Sequence, residues 1–259
     1  MIQHGKRPNG FTLIELIIVI VLLGIVGAMG AGFISSAFKG FFGADARMEM
    51  YEEGKSALVR MEREIHIAVP NAVDVSTTTI ADDTISVGLV DENAMSPVFG
   101  QYTETTPTNR ITDPTAALPV GTLVSIYNTS WNDFADSSRI YSVTGLSGTG
   151  NRRMTLGENI GLTSPYNRYY AVQNVAVRFS VANGVLSRST ATVSAAAALG
   201  GFGNPQPLVK NIVPSGGLPY FIYAPGTSSR NSMVTINFAI ARNNETVNFH
   251  KEVEIRNVP

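Results

Sequence analysis

The chain has 259 residues, with 19 Lys plus Arg against 20 Asp plus Glu and no cysteine. Near-neutral charge gives no support for a nucleic-acid partner held by bulk electrostatics, and none is expected. The lack of thiols excludes disulfides, thiol nucleophiles and thiolate metal sites, while the length suffices for one large domain or two small ones.

The first ten residues, MIQHGKRPNG, are basic, with Lys6 and Arg7 and no acid. Across residues 11–38 every side chain is apolar, small or a hydroxyl, except Glu15. The uncharged stretch 16–38 holds 23 residues, and a bilayer core roughly 30 Å thick needs about 20 in a helix. A spanning helix is expected, with Lys6 and Arg7 kept on the cytoplasmic side and the rest of the chain outside. A cleaved secretory signal has a shorter apolar run with a junction beyond it, whereas this run leads into a helical pattern. A plain signal anchor leaves Glu15 unexplained. A carboxylate at the centre of a spanning helix costs about 2.5–3.5 kcal/mol on insertion scales, less near the interface, and by default marks a function. Gly24, Ala28 and Gly32 form a small-residue face, which close helix approach and simple tolerance of glycine explain equally well.

Beyond Lys39 the pattern turns amphipathic. Met48, Tyr51, Leu58, Met61, Ile65 and Ala68 recur at three- and four-residue spacing and are expected on the core face. Glu52, Glu53, Arg60, Glu62, Arg63 and Glu64 lie between them, and Pro70 is expected to end the helix after Val69.

Past residue 70 the composition shifts to Thr, Ser, Asn, Gly and Val, which suits strands and turns. TISVGLV (84–90), TLVSIY (122–127) and RIYSV (139–143) read as short strands. A hairpin is expected around Asn183-Gly184, and a second around Asn243-Asn244. In the latter Val234, Ile236, Phe238 and Ile240 alternate before the turn, and Val247, Phe249, Val253 and Ile255 after it. Lys251 interrupts that second apolar face and suggests an edge or a bulge. Residues 194–207 read as a loop with a helical turn at its alanines.

The hexapeptide GFTLIE (10–15) resembles the processing site of type IV prepilins and pseudopilins: a Gly, a Phe, three mostly apolar residues and a Glu before the apolar helix. The resemblance implies that a membrane-embedded prepilin peptidase cuts between Gly10 and Phe11 and methylates the new Phe11 amine. It also implies that Glu15 meets the terminal amine of a subunit already in the filament. An amine and a carboxylate attract strongly at low dielectric, while each alone carries a desolvation cost. Many major pilins have a proline near the position of Gly32, and this chain has none there. EREIHIAVPNAV (62–73), RYYAVQNVAVRFSV (168–181) and the ending HKEVEIRNVP (250–259) resemble minor prepilin-like proteins of mannose-sensitive haemagglutinin (MSHA) pili.

Together these resemblances imply an α+β, type IV pilin-like fold, a long N-terminal helix on a β-rich head. Residues 1–10 would be the leader, 11–69 the helix with 11–38 in the membrane or filament core, and 70–259 the head. The implied function is a minor structural subunit for pilus assembly, at the initiation or tip complex. Its partners would be the prepilin peptidase, other minor and major pilins, and the inner membrane before assembly. Its location would be the inner membrane, single-pass with the head in the periplasm, and then the surface pilus. A minor pseudopilin of type II secretion and a glycan-binding tip adhesin are the alternatives.

No enzyme activity, cofactor or metal is expected. With His4 in the leader, only His66 and His250 remain, each read as a packed or solvated residue rather than a base. No serine elbow, metal-binding His pair or phosphate-cradling loop is present. Asp82-Asp83, Asp91-Glu92 and Asp133/Asp136 carry the oxygen ligands calcium prefers, but without a recognisable loop spacing. Trp131, Tyr166, Tyr169, Tyr170, Tyr220 and Tyr223 offer faces suited either to sugars or to a core.

Overall fold

The computed structural model describes residues 10–79, 82–94, 99–106, 108–115, 117–226 and 230–255. The expected leader lies outside these, apart from Gly10. The chain forms two compact units, Met1–Met48 and Glu49–Pro259.

Helix α1 (Leu13–His66, 54 residues) begins in the first unit and ends in the second. Within the first unit no described residue is buried. The helix contains an 18-residue window apolar enough to cross a membrane, and none of that window is buried in the protein. Phe38 and Phe42 stack at 6.3 Å, one turn apart on its surface.

In the second unit, α1 buries Met50, Gly54, Ala57, Met61, Glu64 and Ile65. That spacing of three and four is the stripe of a helix lying on a core. The expected stripe holds along its later part, where Met61, Ile65 and Ala68 are buried, but not at its start: Met48 and Tyr51 are 60% and 47% exposed, and Glu64 is buried. The cause is Gly54. A Cβ there would overlap the ring of Phe249, so the helix turns its side-chain-free position toward that ring.

The helix also ends earlier than expected, at His66. Strand β1 (Ala68–Thr79) already contains Pro70. The register between β1 and β2 (Asp82–Val90) shifts between Ala68 and Val73, where Asn71 adopts φ 60°. Pro70 thus sits at a bulge of a strand that ends its sheet, where a missing N–H is tolerated.

The remaining elements are β3 (Gly100–Gln101), β4 (Arg110–Thr112), β5 (Leu123–Ser125), α2 (Trp131–Ala135), β6 (Ile140–Ser147) and β7 (Arg153–Leu156). They continue with β8 (Arg168–Ala182), β9 (Val185–Thr192), β10 (Gln206–Lys210), β11 (Ile212–Val213), β12 (Phe221–Ala224), β13 (Ser232–Arg242) and β14 (Glu245–Ile255). β8 is the hub of a ten-stranded sheet, pairing with β2 and β9 along its later part and with β3 and β5 along its start. A four-stranded sheet has β13 at its centre, with β14 on one side and β11 and β12 on the other.

Both expected hairpins are present. Asn183 and Gly184 have φ of 52° and 70°, and Asn243 and Asn244 have 50° and 64°. Two successive positive φ values match the twist of paired strands. β13 and β14 pair without a register shift, so Lys251 marks an edge strand and not a bulge. Residues 193–205 are a loop without the helical turn expected at the alanines.

The largest core joins Met50, Met61 and Ile65 of α1 to Ile85, Phe179, Phe238 and Phe249 of the strands. A second core, with Ile111, Val124, Met154 and Tyr169, lies under β4–β7. The fold is therefore α+β, a long apolar-to-amphipathic helix with a β-rich head, of the type IV pilin-like kind.

Candidate functional site

The N-terminal end of α1 is built from the sequence GFTLIE. Residues 10–12 are outside the helix, and Phe11 is 86% exposed. The Gly10–Phe11 bond is thus in open, non-helical backbone, the form in which a chain can enter a peptidase cleft.

Thr12 and Glu15 then close a reciprocal pair. The Glu15 amide donates to Thr12 Oγ1 at 3.3 Å, while the Thr12 amide donates to Glu15 Oε2 at 3.2 Å. The Thr12 hydroxyl also donates to Glu15 Oε2, at 3.2 Å. This is a capping box: Thr12 caps the helix, and the acid three positions on returns to the cap residue's own N–H. It satisfies two of the amide groups that a helix start leaves without partners, and it places a negative charge where the helix dipole favours one. Sequence reading singled out Glu15 but missed Thr12, although a Thr-x-x-Glu before an apolar run is the signature of this cap.

Further along the apolar span, a Cβ added at Gly24, Gly27, Gly30 or Gly32 would meet no atom within 4 Å. Nothing in this chain requires glycine there, although each costs about 1 kcal/mol of helix propensity relative to alanine.

The end of α1 within the head is held by charge as well as by packing. Glu64 accepts from Arg188 of β9 at 2.9 Å, Glu62 pairs with Lys251 of β14 at 2.8 Å, and Arg242 of β13 reaches both Glu49 and Glu53. Glu64 is largely buried and needs that partner, whereas the more exposed pairs contribute little each.

The other residues singled out are not brought together. His66 Nδ1 lies 2.9 Å from the Glu254 carbonyl, and His250 Nδ1 lies 2.5 Å from Asn237 Oδ1. Asp83 is buried and accepts the Phe221 amide, and Asp91 accepts the Asn93 amide. Asp133 belongs to the cap of α2, where it accepts from Thr129 and Ser130. Burial pushes the Asp133 carboxyl up, but these hydrogen bonds and nearby Arg139 outweigh it and hold the group below the ordinary range. Asp136 accepts the Ser138 amide. Among the described residues no group of three His, Asp or Glu is arranged to hold a metal ion. Of the aromatics, Tyr169, Tyr170 and Tyr220 are core residues, whereas Tyr166 is exposed. The Tyr169 hydroxyl donates to buried Asp113 at 2.7 Å.

Comparison with known proteins adds one finding. The family model described as the prokaryotic N-terminal methylation motif matches residues 5–31. No curated protein and no solved structure matches the chain. The matched segment holds the open Gly10–Phe11 bond, the Thr12–Glu15 cap and most of the apolar span, and it supports a type IV pilin-like or pseudopilin-like protein.

Proposed function

We propose that this chain is a minor pilin-like subunit of an MSHA-type pilus, similar to the protein MshO, acting in the initiation or tip complex. Prepilin peptidase cuts between Gly10 and Phe11, and the new Phe11 amine is methylated. The processed subunit waits in the inner membrane, head in the periplasm, until other minor and major pilins draw it into the filament. Its role is structural, not catalytic.

The observation that carries this reading is an apolar span none of which is buried among the described residues, headed by an open Gly-Phe bond and a carboxylate. A monomer leaves that surface uncovered; lipid covers it first and neighbouring helices afterwards. The glycines in the span let those neighbours approach closely. Glu15 is compatible with both states. Its Oε2 accepts from Thr12, and among the described residues Oε1 accepts no hydrogen bond, so it can receive an ammonium from a neighbouring terminus. At low dielectric that attraction is strong, whereas an unpaired carboxylate is costly, so the charge favours the filament over the bilayer.

The test is isolation of pili and inner membranes from the same cells, followed by mass spectrometry of the subunit's N-terminus. The expected result is N-methylated Phe11 in both fractions. A terminus beyond the apolar span, or no protein in the pilus fraction, would overturn the proposal.

A further inference from the structure

The cations of the head differ in how they are used. Arg188, Arg242 and Lys251 meet carboxylates of α1, and Arg178 donates to Ser86 beneath the ring of Phe202. Among the described residues, Arg110, Arg152 and Arg153 form no ion pair, and all three are exposed.

The pairing of β4 with β7 sets Arg110 opposite Thr155 and Thr112 opposite Arg153. These four side chains therefore share one face, and the fully buried Ile111 and Met154 take the other. Arg110 and Arg153 are diagonal neighbours of like charge across the pair, and of the two Arg153 borders the adjoining surface cavity. The turn before β7 adds a third cation, Arg152. Gly148 and Gly150 have φ of 78° and 67°; the stem of Arg153 lies against the first, and Arg152 Nε lies 3.7 Å from where a Cβ of the second would be. Both guanidinium groups border a surface cavity of about 490 Å³, which Thr112 and Thr149 line with hydroxyls and no carboxylate lines. Two nearby acids are engaged by other groups: Glu104 accepts the Thr112 amide at 2.8 Å, and Asp113 accepts from Thr115 and from the Tyr169 hydroxyl.

We propose that this cavity binds a tetrahedral oxyanion carried on a sulfated polysaccharide. Guanidinium forks match the oxygens of a sulfate or phosphate group in pairs, and hydroxyls supply further donors. No aromatic side chain lines the cavity, so it lacks the stacking platform that single-stranded nucleic acid uses. The site goes beyond the assembly reading and stands even if that reading fails.

The test uses the full chain in detergent with a fluorescent heparin oligosaccharide as probe, and inorganic sulfate and phosphate as competitors. Saturable binding is expected, weakened by both competitors and reduced at least about tenfold in Arg152→Gln/Arg153→Gln. Arg230→Gln, which removes an exposed cation on another loop, should leave it unchanged. Three results would overturn the proposal: no saturable binding, an equal loss in Arg230→Gln, or duplex DNA bound as tightly as heparin.

Discussion

Glu15 caps α1 together with Thr12, and substitution can separate that contact from the assembly role proposed for its charge. A capping box works with Gln as well as Glu at its third helical position, because either side chain can accept from the cap N–H. Glu15→Gln therefore keeps the cap and removes the charge, while Thr12→Ala removes the cap and keeps the charge. If the charge drives assembly, Glu15→Gln should deplete the subunit from pili and enrich it in the inner membrane, with cleavage unchanged. Thr12→Ala should cost about 1 kcal/mol of helix start and leave incorporation near wild type. The ratio of pilus to membrane protein on quantitative blots checks both. Normal incorporation of Glu15→Gln would leave Glu15 with capping alone. The GFTLIE order was legible in the sequence as a motif, and the match to the N-terminal methylation motif over residues 5–31 contains it. Thr12 was legible in principle, but its hydroxyl drew no notice beside an acid in an apolar run.

At the scale of an element, the second half of α1 shows where periodicity misleads. Counting large apolar residues puts Met48 and Tyr51 on the core face, yet the face is built on Gly54 and Ala57, which hydropathy scarcely registers. What selects it is the ring of Phe249, which also stacks on Phe238 at 4.8 Å. Gly54→Ala should therefore destabilise the head despite alanine's better helix propensity, by about 1–3 kcal/mol, as overpacked cores usually are. Thermal denaturation of the full chain in detergent measures it, and an unchanged or higher midpoint would refute the packing argument. The helix end was misplaced for a related reason. Pro70 does mark a boundary, but of a bulge in β1; the pairing of β1 with β2 claims the chain before the proline can.

At the scale of the molecule, the hairpins were legible because their turns need local chemistry, paired residues tolerant of positive φ. The hub role of β8 was not, since beyond its hairpin partner β9 it depends on β2, β3 and β5, all distant in sequence. That hub also carries the head's sensitivity to alkali. Burial pushes Tyr170 up to about 12, despite an opposing effect of Arg168. Burial and the Asp113 hydrogen bond raise Tyr169 as well. A phenol raised in the folded state contributes stability that is complete below its unfolded value near 10 and is lost as pH climbs through the folded value. The melting temperature should therefore fall between about pH 10 and 12, together with the rise of tyrosinate absorbance. A flat profile across that window would contradict the burial of these hydroxyls.

Lys251 bears on a danger peculiar to proteins that polymerise. Among the described residues strand β14 pairs on one side only, and an open strand edge is a template on which another chain can add. Along its inward face Val247, Phe249, Val253 and Ile255 are interrupted only by Lys251, whose ammonium Glu62 holds in place. A charge pointing inward from an edge strand makes a second strand laid alongside bury it, which discourages sheet-to-sheet growth. Lys251→Val should leave the monomer folded, yet drive concentration-dependent, β-rich association in light scattering and thioflavin fluorescence. A variant that stays as dispersed as wild type would show that the edge is guarded by something else. If the chain joins others through its helix, as proposed, its strands must stay unshared, and Lys251 is the residue expected to keep them so.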